Sequence, residues 1–293
     1  SNVQEYTKKV DQLFYSKDLH PNIKKNKKSK IIKSFYDTFL KDGWYLNCHH
    51  GDGIEMIDVL SSNEYGINFD LNKNISMLSS DMIPDLKHNK TWTGLLLPLV
   101  RTTMKGAGIG EMFSTFVHPK ARFDSSKDLL ISDKSIECKK FDGACIKGNE
   151  DSGFRIIDDL CDEYRLRTTT GKSQKVATYY NNIIDLNPES KVKFWKRLYP
   201  NMNSKKIKKL VNMEEVENAS FVHGMVVLDE YKSIDDFNSL LLVSEENNPR
   251  IIHLANFQDY SFIKDNIRFT PKFRRGGDTN ALADGYVVIE GVK

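Results

Sequence analysis

Asp128, Glu137 and Lys139 stand close enough in the chain to meet on one face of a β-hairpin. With Asp133 and Lys134 as a two-residue turn, Ser132 falls opposite Ser135, Leu130 opposite Glu137 and Asp128 opposite Lys139. Side chains alternate across a strand, so one face then carries Leu129, Ile131, Ile136 and Cys138, a set suited to a core. The other face carries Asp128, Glu137 and Lys139. Asp128 and Glu137 become diagonal neighbours with backbones about 7–8 Å apart, from which two carboxylates can reach one divalent ion.

Phosphodiester hydrolysis calls for such a set: hard oxygen ligands for Mg²⁺, a water acidified by that ion, and a cation near the charge developing on phosphorus. Lys139 suits that last need, or orients or deprotonates the water; its role stays open at this level. The same alternation equally describes an amphipathic hairpin whose charged face only meets solvent. Cys138 lies inside the set, but alternation directs its side chain to the core, which makes it a packing residue.

Gly108-Ile109-Gly110-Glu111, followed by Asp128 and then by Glu137-Cys138-Lys139 after a short turn, resembles the PD-(D/E)xK nuclease superfamily. More narrowly it is similar to phage-encoded nucleases that carry a GxGE box. Lys127 stands where the superfamily's name has proline. The resemblance implies an α/β fold of restriction-endonuclease type, a mixed sheet flanked by helices. It also implies a Mg²⁺-dependent deoxyribonuclease, an endonuclease, with Mn²⁺ as a substitute ion, encoded by a phage or mobile element. Within it, Asp128, Glu137 and the Cys138 carbonyl would bind metal, Lys139 would serve the nucleophilic water, and Glu111 would assist or bind a further ion. Glu111 lies away from the stripe formed by Ile109, Met112, Phe113 and Phe116, so its own helix aims it either at solvent or into the site. Two other readings remain: a nucleic-acid-binding or structural phage protein that keeps the fold without turnover, and an RNA-directed nuclease.

The elements around this set follow from hydrophobic spacing. Val3, Tyr6, Val10, Leu13 and Phe14 predict a helix within 3–18, and six lysines between Lys24 and Lys33 lead into a second helical stripe. Residues 43–90 read as short strands or helices separated by turns; Cys48, His49, His50 and Asp52 lie there without the spacing of a zinc site. Beyond the hairpin, Phe154, Ile157, Leu160, Cys161 and Tyr164 predict a helix, and helical patterns cover about 172–186, 190–199 and 203–217. The texture then reads as strands at Phe221 to Leu228, Leu240 to Val243, Arg250 to Leu254, Ile267 to Phe269 and Tyr286 to Ile289. The expected organisation is an accessory region, 1–94, followed by a nuclease core, 95–293, with a helical insertion at about 150–218.

That insertion is where nucleic acid would be held. Lys191, Lys193, Lys196, Arg197, Lys205, Lys206, Lys208 and Lys209 are eight basic residues set against the single acid Glu189, with Phe194, Trp195 and Tyr199 among them. The cations can follow a phosphate backbone. The aromatics can stack on bases or, at helical spacing, seal the insertion against its core. Lys140 and Lys147 after the motif, and Lys272, Arg274 and Arg275 near the C-terminus, are further candidates for backbone contact.

Competing chemistries find less support. Gly171-Lys172-Ser173 looks like the end of a P-loop, but Leu166 occupies the position of the required glycine, so no nucleotide cofactor is expected. His118, His223 and His253 have no serine or cysteine in a recognisable nucleophile setting, and no triad follows. Basic and acidic residues number 43 and 40, so net charge selects no partner, and Cys48, Cys138, Cys145 and Cys161 have neither CxxC pairing nor disulfide-framework spacing. The longest apolar run, Leu95 to Val100, is too short to span a bilayer. The expectation is a cytoplasmic DNA-binding enzyme with no membrane partner, acting in the host cytoplasm if phage-encoded, and compatible with a homodimer.

Overall fold

The computed structural model describes residues 70–78, 120–124, 128–149, 154–166, 168–170, 174–244, 249–272 and 286–293, with isolated positions that include Glu111, Ser114 and His118. The lysine run, the Cys48–Asp52 segment, the Gly106–Gly110 turn, Arg274 and Arg275 lie outside these residues. The described positions between 4 and 12 are helical, where the first helix is expected. In chain order the strands are β1 (Ile75–Leu78), β2 (Ala121–Phe123), β3 (Leu129–Ile131), β4 (Lys134–Lys140), β5 (Ala144–Ile146), β6 (Ser239–Val243), β7 (Arg250–Leu254), β8 (Ile267–Lys272) and β9 (Tyr286–Gly291). The helices are α1 (Phe154–Glu163), α2 (Val176–Ile184), α3 (Pro188–Leu198), α4 (Ser204–Val211), α5 (Val216–Asp235) and α6 (Tyr260–Asn266). The protein is thus α/β with a mixed sheet. Among the described residues no helix is long and apolar enough to cross a membrane.

The chain divides into two compact units. One comprises Ser1–Phe141 with Phe237–Asp259, and the other comprises Asp142–Asp236 with Tyr260–Lys293. The first is built on a six-stranded sheet of order β1-β7-β6-β4-β3-β2. β4 and β6 run parallel, while the other neighbours are antiparallel. β6, Ser-Leu-Leu-Leu-Val, is buried at every position, which explains its continuous apolar run in place of an alternation. Asn74 fastens the turn after β7: its Oδ1 accepts from the N–H groups of Ala255 and Asn256 at 2.8 Å each, and its Nδ2 donates to the Asn256 carbonyl.

The β3–β4 hairpin forms with a register different from the expected one. Ile131 pairs with Lys134, Leu130 with Ser135 and Leu129 with Ile136, so the turn is Ser132-Asp133. Ser132 adopts the left-handed φ of 58° that a tight hairpin turn demands of its first central residue. Asn238, just before β6, holds the start of β4 from the other side: its Oδ1 accepts from Ser135 N–H, and its own N–H donates to the Ser135 carbonyl, both at 2.8 Å. The slip is two residues, so it leaves every side chain on its expected face. Leu129, Ile131, Ile136 and Cys138 are all buried.

In the second unit, α1 to α4 are helices that the hydrophobic spacing predicts. Asn187 and Asn203 cap α3 and α4 by accepting from Ser190 N–H and Lys206 N–H. The expected strand at Phe221 to Leu228 is instead the middle of α5. Ala219, His223, Gly224, Val226, Val227, Leu228 and Tyr231 are all buried, so this helix is covered on several sides and its 3.6-residue period is blurred. Gly224 permits that burial, because a Cβ there would lie 2.1 Å from Phe269 Cγ on β8. β5, β9 and β8 form a separate antiparallel sheet.

Candidate active site

β4 brings the motif into the interior of the larger sheet. Glu137 lies beside Leu240 and Lys139 beside Leu242 on the parallel neighbour β6, which fixes both backbones on a central strand. Asp128 precedes β3 in a left-handed conformation, φ 40°, a region that aspartate enters more readily than most residues. Its backbone bridges to Ile136, next to Glu137, and the Asp128 and Glu137 carboxyl groups lie near enough for each charge to act on the other. The two carboxyl groups expected to converge thus interact electrostatically.

Burial, then the charge and closeness of the Glu137 carboxyl, push the Asp128 carboxyl up to about 6, against the opposing pull of Lys139 and a bond accepted from Cys138 N–H. Lys139 Nζ lies 2.8 Å from Glu137 Oε1. Burial works against the Lys139 ammonium, but Glu137, Asp128 and Glu111 outweigh it and hold its pKa above the ordinary lysine value. Lys139 is a cation at neutral pH.

Glu111 is helical and only 8% exposed, which decides between the two orientations left open by its helix: it turns inward. Its charge acts on both Lys139 and the Cys138 thiol. Burial first, then Glu111, Asp128 and Glu137, push that thiol well above the ordinary cysteine range, so Cys138 is an inert packing group. Among the described residues no three His, Cys, Asp or Glu side chains gather into a metal-holding cluster. Asp128 and Glu137 are the carboxyl groups from which an ion here would draw oxygen ligands. Two carboxylates with carbonyl and water partners suit Mg²⁺, which retains much of its hydration, and the like charges of the pair favour a cation between them.

The basic candidates divide by what they touch. Lys193, Lys196, Lys205, Lys208 and Lys209 are exposed, as is Lys140 after the motif, and Lys191 is half-buried. Arg197 pairs with Glu163 at 2.5 Å, and Lys147 lies 3.8 Å from Asp235. Lys206 is drawn in, with its ammonium 2.7 Å from Glu230 and 3.3 Å from Asp229, and so braces α4 against α5. Phe194, Trp195 and Tyr199 are fully buried and act in the core of the second unit, not as a base-stacking platform.

Two buried histidines have roles that spacing does not reveal. His223 Nδ1 is 2.8 Å from Tyr180 Oη and its Nε2 is 2.6 Å from Tyr199 Oη, with Trp195 edge-on 5.0 Å away. Burial lowers its pKa to about 3, so the ring is neutral and one nitrogen donates while the other accepts. In the first unit, His253 Nδ1 donates to the Lys73 carbonyl, which leaves Nε2 to accept from Ser239 Oγ at 2.9 Å. This has the connectivity of an activated serine. Both residues are sealed inside the sheet, however, at 0% and 2% exposure, and they tie β6, β7 and the approach to β1 together. No local sequence signal marks either contact, since each joins residues far apart in the chain.

No family model, no curated protein and no solved structure gives a significant match to the chain.

Proposed function

We propose that the protein is a Mg²⁺-dependent nuclease of restriction-endonuclease-like fold that hydrolyses DNA phosphodiester bonds. The observation that carries this reading is the Asp128–Glu137 carboxyl pair with the Lys139 ammonium 2.8 Å from Glu137, all set by one hairpin of a central sheet. An amphipathic hairpin that merely faces solvent has no need to bring two carboxyl groups near each other where burial raises the cost of their charge.

Asp128, Glu137 and the Cys138 carbonyl would hold the ion, which when bound supplies positive charge to a phosphate and acidifies a water. The protein's own groups do the rest. Lys139 has three N–H donors, so one can hold Glu137 in place while another meets a non-bridging phosphate oxygen or orients the attacking water. Glu111 adds negative charge that keeps the Lys139 ammonium protonated. Lys191, Lys193, Lys196, Lys205, Lys208 and Lys209 offer sequence-independent affinity for a phosphate backbone.

The test is incubation of the full chain with plasmid, linear and branched DNA and with RNA, in Mg²⁺, Mn²⁺ or EDTA. DNA cleavage that requires the ion supports the reading. Cleavage of RNA alone would make the protein an RNA-directed nuclease, and binding without cleavage of any substrate would leave a nucleic-acid-binding protein on the same fold.

A further inference from the structure

A cavity of about 380 Å³ in the second unit has a composition that the nuclease chemistry does not use. One wall is the first turns of α5, with Glu217, Asn218, Ser220 and Phe221; the facing wall brings Lys264 from α6 and Arg268 from β8. The Lys264 ammonium sits 4.9 Å above the centre of the half-buried Phe221 ring, and Arg268 reaches only a loose, 3.8 Å contact with Glu290 while remaining 65% exposed. Tyr260, itself exposed, meets the Phe221 ring edge-on.

These features favour one kind of ligand. Two cations on one wall favour an anion there, while the opposite wall, the first turn of α5, carries the Glu217 carboxylate and so suits the uncharged part of a ligand. An aromatic ring with an ammonium over its face marks a place where a flat, apolar group can be sandwiched once that lysine swings to an anion. Glu217, Asn218 and Ser220 supply acceptors and donors suited to the edge of a base or to sugar hydroxyls.

We propose that this cavity binds a nucleoside monophosphate, its phosphate on Lys264 and Arg268 and its base against Phe221. The nucleotide comes either from solution or from the phosphorylated end of a strand. The cavity's ligand is deduced from its own walls and does not depend on the protein being a nuclease.

The experiment is calorimetric titration of the full chain carrying Asp128→Asn, so that turnover plays no part, with dAMP, deoxyadenosine and inorganic phosphate. Binding of dAMP about 10-fold or more tighter than either part is expected, since base and phosphate contacts act together. Lys264→Ala and Arg268→Ala should each weaken dAMP about 10-fold, as expected when one charge-assisted bond to the phosphate is removed, without moving the melting temperature. Lys264→Arg should restore most of the affinity. A 5′-phosphorylated oligonucleotide that competes with dAMP identifies a strand end as the source; one that does not identifies the free nucleotide. No dAMP heat at millimolar concentration, equal binding of dAMP and phosphate, or binding indifferent to Lys264 and Arg268 would overturn the proposal. Because the assay reads binding, DNA cleavage by the unsubstituted chain can fail or succeed separately.

Discussion

The carboxyl groups of Asp128 and Glu137 act on each other's charge, although the two residues come from opposite arms of a hairpin. Burial first, and then the Glu137 charge, push the Asp128 carboxyl up to about 6, so the pair takes up a proton as pH falls through that value. Glu137 is in turn held by Lys139. A divalent cation offers the pair a better partner than a proton, so protons should be released as Mg²⁺ binds.

Glu111 acts through its charge. Glu111→Gln keeps the shape of the side chain and removes the charge that acts on Lys139, and it should lower Mg²⁺-dependent cleavage about 10-fold while leaving the melting temperature nearly unchanged. A loss as large as that caused by removing Asp128 would instead place Glu111 among the direct ligands. Initial rates on linear DNA over a Mg²⁺ series separate the two.

His223 is a structural hub. Replacing it with Phe removes the partner of two buried hydroxyls, those of Tyr180 and Tyr199, at a cost of about 1–3 kcal/mol each. Urea denaturation should show a correspondingly lower midpoint at unchanged slope. Tyr180→Phe with Tyr199→Phe in the same chain should recover part of the stability.

The same ring sets a pH dependence. Its pKa in the folded protein is about 3, below the ordinary histidine value, because burial disfavours the imidazolium. His253 follows at about 4, also through burial first. The unfolded chain therefore binds protons that the folded one refuses. Stability is fully present above about pH 6.5 and falls as pH drops through that value toward 4 and 3, with each ring adding a slope that approaches about 1.4 kcal/mol per pH unit. Urea midpoints between pH 7 and pH 5 should fall for the native chain, and fall less steeply for His223→Phe.

The lysines of α4 should part in their effects. Lys205→Ala, Lys208→Ala and Lys209→Ala should weaken DNA binding and flatten its salt dependence, by roughly one unit of log–log slope for each phosphate that is no longer neutralised. Lys206→Ala should instead lower thermal stability, because Glu230 and Asp229 would be left without their shared cation. Filter binding across a salt series and thermal melts distinguish the two behaviours.

How far the amino-acid sequence announces these features depends on the range of the interactions that set them. The two faces of the hairpin follow from a period of two, which is local, so Leu129, Ile131, Ile136 and Cys138 fall inward as expected. The register does not, because Asn238, more than a hundred residues further on, helps to fix where β4 begins. β7 appears at Arg250 to Leu254 as its composition predicts, bounded by turn residues and rich in isoleucine. α5 is hidden for the opposite reason: burial around most of its circumference leaves Phe221 to Leu228 looking like a buried strand. The partners of His223 lie in α2 and just after α3, and those of His253 lie at Lys73 and Ser239, so neither role has a local signature.

The most direct test compares the native chain with Asp128→Asn and Lys139→Ala in a DNA cleavage assay with Mg²⁺ and with EDTA, using chains whose melting curves show them folded. Cleavage by the native chain only when Mg²⁺ is present, reduced about 100-fold or more in both variants, is the expected result for removal of a group acting at the reacting phosphate. Cleavage that persists in EDTA, that is unchanged in both folded variants, or that never occurs in the native chain would contradict a nuclease centred on Asp128, Glu137 and Lys139.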